Sequence, residues 1–178
     1  MQGEPEVAVL RLGHRPGRDE RTTSHVGLTA RALGADRAIL AGQAASRRET
    51  IADITDRFGG PFAVETTDSP LALVRDWDGA VVHLTMYGLP IQDEADAIRE
   101  RHAGGDPLLL VVGAEKVPFD VYEAADWNVG VTNQPHSEIA ALAVFLDRLF
   151  QGRELDREWA DAERAVVPQA VGKRVDER

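Results

Sequence analysis

Four arginines, Arg11, Arg15, Arg18 and Arg21, fall within the run RLGHRPGRDERTTSH at residues 11–25. The chain around them is acidic, with 30 Asp and Glu against 20 Lys and Arg and a net charge of −10. In a basic protein this segment would be an ordinary solvated loop. Here it is a local positive patch, and guanidinium forks suit the paired oxygens of phosphate groups. A second cluster, Asn133-Gln134-Pro135-His136-Ser137-Glu138, precedes the apolar run Ile139 to Phe150 without a spacer. Hydrogen-bonding side chains at the mouth of a buried helix are placed to hold a ligand.

Two further loops have the same character. Thr85-Met86-Tyr87-Gly88 follows the apolar stretch 80–84, and Gly113-Ala114-Glu115-Lys116-Val117-Pro118 follows PLLLVV at 107–112. Each by itself is ordinary turn chemistry. Three such loops at the ends of successive strands point to one shared pocket, because ligands of open parallel sheets sit beyond the carboxyl ends of the strands. Lys116 is one of only two lysines, with Lys173. Paired with Glu115 it reads either as a solvated surface ion or as a residue with a specific task.

Several chemistries are excluded. There is no GxGxxG and no GxxxxGK[ST], so the dinucleotide and triphosphate fingerprints are missing. The five histidines are scattered, with no i, i+4 pair, and no metal site is expected. His136 beside Ser137 is a capping or structural residue rather than part of a triad. With no cysteine, disulfides, thiolate zinc sites and cysteine nucleophiles are out, which favours a cytoplasmic setting. No apolar run approaches a membrane span and the N-terminus lacks a signal pattern, so no membrane partner is expected. The acidic balance argues against nucleic-acid partners. Alternatively it reflects adaptation to high salt, a halophilic composition, and then says little about the partner.

The elements that must position these residues follow from patterning. At 178 residues and 43% hydrophobic, the chain suits one globular domain, 1–150, with an appended tail, 151–178, packed on it or extending it. Strands are predicted at 6–12, 37–40, 62–65, 80–84, 107–112 and 127–131. Helices are predicted at 24–33, with Ser24 as N-cap, at 46–58, from Ser69, at 93–102 and at 139–150. The tail is expected to hold a short helix at 155–165 and then the extended run VVPQAVGKRV. Short all-apolar strands alternating with amphipathic helices give an α/β fold, a mostly parallel sheet covered by helices on both faces.

The stretches RLGHRPGRDERTTSHVGLTARALGA, VVHLTMYG, LVVGAEKVP and VGVTNQPHSEIAALAVFLDRL resemble the archaeal tRNA methyltransferases that modify the ribose 2′-hydroxyl of cytidine 56 in the T-loop, within the SPOUT superfamily. The resemblance runs from Val7 to Val175. It implies a C-terminal deep trefoil knot, against which topology rules alone would argue, a homodimer, a tRNA substrate and S-adenosyl-L-methionine bound without metal. By that resemblance the cofactor is held by Leu84, by Gly113, Ala114, Glu115, Lys116 and Val117, and by Val131, Thr132, Asn133, Gln134, Pro135, His136, Ser137 and Glu138. At Thr132 the family often has glycine.

The resemblance also implies an arginine that handles the hydroxyl proton, with Arg21 the best match and Arg18 next. Deprotonating arginine at neutral pH costs on the order of 8 kcal/mol. The weaker role is preferred, in which the guanidinium grips a phosphate and stabilises the forming alkoxide. Glu115 would stabilise the cationic cofactor or orient an arginine. The apolar residues Leu142, Phe145, Leu146, Leu149 and Phe150 are expected to give the last helix a face for a partner subunit. Two other functions stay open: a related methyltransferase acting on another RNA site, and a non-catalytic RNA-binding dimer, which the intact arginine patch disfavours.

Overall fold

The computed structural model describes residues 5–113 and 116–178. Six strands form one parallel sheet: β1 (Val7–Leu12), β2 (Arg37–Ala41), β3 (Ala63–Thr67), β4 (Ala80–Pro90), β5 (Leu108–Gly113) and β6 (Trp127–Gly130). Their order is β3-β2-β1-β5-β4-β6, so the winding reverses between β1 and β5. Helices α1 (Glu20–Ala32), α2 (Arg48–Phe58), α3 (Pro70–Arg75), α4 (Ile91–Ala103), α5 (Phe119–Ala124) and α6 (Glu138–Phe150) connect them.

Alternation along the strands separates two apolar layers. Val7, Val9, Val82 and Leu110 face α1, α2, α4 and α6 and pack with Val26, Ile51, Ile98, Leu142 and Phe145. Ala8, Leu10, Val81 and Leu109 face the other side, against Val74 of α3 and Val121 of α5. Cover on both faces explains why the strands read as continuous apolar runs.

The edge between β4 and β6 carries an irregularity that shapes the molecule. Leu84 and Leu89 both pair with Val129, so residues 85–88 leave the ladder as an excursion. Gly88 closes that excursion against β6. A Cβ there would meet the Asn128 carbonyl oxygen at 2.4 Å and the Val129 nitrogen at 2.5 Å, so only glycine fits this approach.

Three sequence expectations are corrected. Helix α1 begins at Glu20, and Ser24 lies inside it with its hydroxyl donating to the Glu20 carbonyl at 3.1 Å. It is therefore a back-bonding helix residue and not an N-cap. The expected tail helix at 155–165 does not form. A 3₁₀ turn at Arg153–Asp156 is followed by non-helical chain and an antiparallel hairpin, β7 (Arg164–Val167) with β8 (Arg174–Glu177). Docking on the domain overrides helix propensity: the Gly60 amide donates to the Ala160 carbonyl at 2.9 Å, and Arg31 lies 4.3 Å over the Trp159 ring. Finally, Leu142, Phe145, Leu146, Leu149 and Phe150 are all buried in the chain's own core. They offer no free face to a partner; Ala140 and Val144 are the exposed apolar residues on α6. No helix among the described residues is long and apolar enough to cross a membrane.

Candidate active site

The carboxyl ends of β4 and β5 and the start of α6 enclose a cavity of about 780 Å³, a size suited to a small organic ligand. β4 contributes Leu84 and the excursion Thr85, Met86 and Tyr87. β5 and its loop contribute Val112, Gly113, Lys116 and Val117. The α6 side adds His136, Glu138 and Ala141, while His83 and Tyr122 lie toward the sheet and Arg15 reaches in from the first motif.

Six of the residues assigned to the cofactor by resemblance thus line one cavity, Leu84, Gly113, Lys116, Val117, His136 and Glu138, together with Thr85, Met86 and Tyr87 of the loop that the sequence placed at the same pocket. Ala114 and Glu115 lie outside the described residues. Val131, Thr132, Asn133, Gln134, Pro135 and Ser137 do not line it, and two of them act on its frame. The Asn133 side-chain amide donates to the carbonyls of Met86 at 2.7 Å and Gly88 at 3.0 Å, joining the last loop to the β4 excursion. The Ser137 hydroxyl accepts from the Ala140 amide at 3.2 Å and caps α6. Arg18 and Arg21 are exposed and do not line the cavity of their own chain. Arg21 sits in the first turn of α1, outside the loop assigned to it from the sequence.

Gly113 and Lys116 are each constrained where they stand. A Cβ on Gly113 would meet Val117 Cγ2 at 2.2 Å. Lys116 adopts a left-handed φ of 59°, an uncommon state for a residue with a side chain.

Charge is arranged in pairs. Arg11, at the carboxyl end of β1 beside Val112 of β5, is 1% exposed and forms an ion pair with Glu138 at 3.2 Å. The carboxylate also stands in the first turn of α6, where the helix dipole favours it. Arg15 grips Asp19 through Nε at 2.9 Å and Nη2 at 3.0 Å, and its backbone amide donates at 2.9 Å. The Arg15 side-chain bonds hold the Asp19 carboxyl down at about 2, from an ordinary 3.8. A depressed carboxyl contributes stability that is complete above its unfolded pKa and lost as pH falls through the folded value. Thermal unfolding of the wild type should therefore gain a pH dependence between about pH 4 and 2 that Asp19→Asn flattens. Melts across that range check this; an unchanged slope in the variant would remove the pair from the account.

His83 is fully buried, and burial lowers its pKa. Asn128 donates its amide to the Tyr122 carbonyl at 2.9 Å, which turns its oxygen toward His83 Nδ1, 2.9 Å away. The imidazole is thus neutral with its proton on Nδ1. It packs edge-on to the Tyr122 ring, with centroids 4.5 Å apart.

Sequence reasoning gave Arg15 no place at the cavity and did not name His83, Val112, Tyr122 or Ala141 for it. Arg15 belonged to the arginine patch, the only available signal. Tyr122 stands on α5, a helix of six residues, too short for a periodic signature.

This cavity fits a nucleoside-bearing ligand: loop backbone and polar groups at its edges, aliphatic walls, and a carboxylate fixed at one end. Among the described residues no group of three or more His, Cys, Asp or Glu is placed to hold a metal.

The chain is similar to known proteins. A family described as "tRNA ribose 2′-O-methyltransferase, aTrm56" matches residues 58–176. The tRNA (cytidine(56)-2′-O)-methyltransferase of Natronomonas pharaonis is 73% identical over 176 residues, covering 99% of this chain and 97% of the relative. That of Thermococcus kodakarensis is 54% identical, covering 95% of this chain and 96% of the relative. Among solved structures, the SpoU methyltransferase AviRb from Streptomyces viridochromogenes, in complex with the cofactor AdoMet, matches with a TM-score of 0.55 at 19% identity. That match covers 84% of this chain and 58% of AviRb, and it bears on the fold alone.

Proposed function

We infer the reaction from one premise: this chain belongs to the tRNA ribose 2′-O-methyltransferase family. It methylates the ribose 2′-hydroxyl of cytidine 56 in tRNA, using S-adenosyl-L-methionine. The observation that carries the assignment to a place on the molecule is the cavity where the β4 excursion, the β5 loop and the α6 start converge. S-adenosyl-L-methionine supplies an electrophilic methyl group on a sulfonium. Everything else falls to the protein's own residues.

For the cofactor we assign Leu84, Gly113, Lys116, Val117, His136 and Glu138 as direct contacts. Val131, Thr132, Asn133, Gln134, Pro135 and Ser137 complete the assigned cofactor loop, whose shape Asn133 and Ser137 fix. Leu84 and Val117 supply apolar walls. Gly113 lets the loop backbone approach closely, and Glu138 places negative charge near the cationic end of the cofactor. Holding the acceptor oxygen about 3 Å from the methyl carbon provides much of the acceleration.

Arg21 is assigned to the acceptor. Its guanidinium grips a phosphate of the target nucleotide and stabilises developing negative charge on the 2′-oxygen, whose proton leaves to water late. Arg18 is the alternate for this role. Because neither lines the cavity of its own chain, the reading includes a homodimer in which the first motif of one subunit serves the cavity of the other. The exposed apolar residues Leu89 and Val144 support such a contact.

The reading also includes a C-terminal trefoil knot. It is supported by β4 lying between β5 and β6 and by α6 returning across β4 and β5. Residues 151–178 form a tail on the same domain, and a tRNA substrate implies a cytoplasmic setting.

Titration calorimetry with S-adenosyl-L-methionine tests the pocket assignment. Binding is expected with and without chelator, and Gly113→Trp should abolish it. No binding by the wild type, or binding lost on chelation, would contradict the assignment.

A further inference from the structure

We propose that Tyr87 and Phe119 form a stacking platform at the cavity mouth for the base of the nucleotide being methylated; this rests on the methyltransferase reading above. Among the Phe, Tyr and Trp side chains only these two are exposed, at 76% and 70%. Both stand at the carboxyl edge of the sheet, Tyr87 in the β4 excursion and Phe119 at the first position of α5.

They are linked through the cavity itself. The Tyr87 amide donates to the Thr85 hydroxyl at 3.4 Å, and that hydroxyl lies 3.1 Å from the Tyr122 hydroxyl. The Tyr122 ring then stacks on Phe119, with centroids 6.3 Å apart and planes inclined by 19°. Tyr122 and Phe119 thus form a short aromatic ridge that runs from the cavity lining into solvent, and the Tyr87 backbone is tied to its inner end through Thr85.

The chemistry of the reaction asks for such a ridge. To bring a ribose oxygen to the methyl donor, the target nucleotide must leave its stack in the tRNA, and its base must then rest outside the cavity. Unstacked bases in RNA are held by aromatic faces and arginine planes. Arg15 reaches the same cavity from the first motif with its guanidinium on Asp19, and the nucleotide phosphate falls to Arg21 as proposed above. Stacking accepts any base, so this platform sets affinity for the extruded nucleotide and leaves its identity to other contacts.

Steady-state kinetics on a tRNA transcript test the platform. Tyr87→Ala and Phe119→Ala should each raise KM for tRNA by roughly 5- to 150-fold, the worth of one base–aromatic stack. Calorimetric affinity of Phe119→Ala for S-adenosyl-L-methionine, whose site Phe119 does not line, and the solution mass of both variants should stay as in the wild type, and Tyr87→Trp should restore KM. A transcript lacking the base at the target position gives a second arm. The wild type should lose on it at least what Phe119→Ala loses on the intact transcript, and the double variant Tyr87→Ala with Phe119→Ala should lose nothing more. Unchanged KM, or additive losses on the baseless transcript, would overturn the proposal. A drop in solution mass would overturn it as well, by assigning the aromatics to a contact between chains. If wild-type protein bound the cofactor and methylated no tRNA, the family reading itself would fail, whatever the variants did.

Discussion

Arg21→Ala is expected to lower kcat for tRNA methylation by roughly 10²–10³-fold, the usual cost of removing one preorganised donor at developing negative charge. Cofactor affinity should stay within about twofold, because the lost interaction belongs to the transition state. The geometry behind this is specific. Arg21 is exposed in the first turn of α1 and does not line the cavity of its own chain. On the reading proposed above, its guanidinium acts across a dimer interface. Mixing Arg21→Ala chains with Gly113→Trp chains tests that arrangement, since even a Cβ at Gly113 would meet Val117 at 2.2 Å and an indole would fill the cofactor site. Neither parent should be active. In a mixed dimer, one cavity combines an intact cofactor site with an intact Arg21 from the opposite chain, so up to half of its sites work. Verified mixed dimers without activity would place the arginine in cis or transfer the role to Arg18.

The second large effect concerns the ion pair between Arg11 and Glu138. Arg11 is 1% exposed, so its guanidinium is a buried cation that needs a partner. Its ion pair is with Glu138, whose side chain keeps 30% exposure. Removing one partner of a buried pair leaves an uncompensated charge, at a cost of about 2–4 kcal/mol for a pair open to water on one side. For a chain of this size that corresponds to a fall in Tm of about 5–15 °C. Glu138→Ala should show it, together with weakened cofactor binding because Glu138 lines the cavity. Arg11→Met with Glu138→Leu should recover much of the stability, since no charge is then left buried, while cofactor binding stays weak. Equal melting of Glu138→Ala and the wild type would remove the pair from the account.

The sheet was legible because its strands are covered on both faces: VAVLRL and LLLVVG are buried along nearly their whole length, and such runs between helices leave few alternatives. The loops at the strand ends were legible as a cluster for the same reason. What escaped was decided by tertiary contact or by brevity. Thr22-Thr23-Ser24 looks like a helix start, yet Asp19 folds back on Arg15 and the helix begins before those residues. Residues 157–163 have helical composition, but Trp159 under Arg31 and the Ala160 carbonyl on Gly60 hold them against the domain in another form. On α6 the sequence shows an apolar surface without saying what covers it. The core takes Leu146 and its neighbours, so Leu146→Asp would unfold the chain rather than separate a dimer. The place of Phe119 and Tyr122 depends on α5, too short for its period to be read.

The most direct test of the central claim is to map ribose methylation on an unmodified tRNA transcript after incubation with the purified protein and S-adenosyl-L-methionine. A single new 2′-O-methyl group at cytidine 56 is the expected result, absent when cofactor or protein is omitted and absent with Gly113→Trp. Methylation at a different nucleotide, methylation on a base, or an unmodified transcript under conditions where the cofactor binds would contradict it.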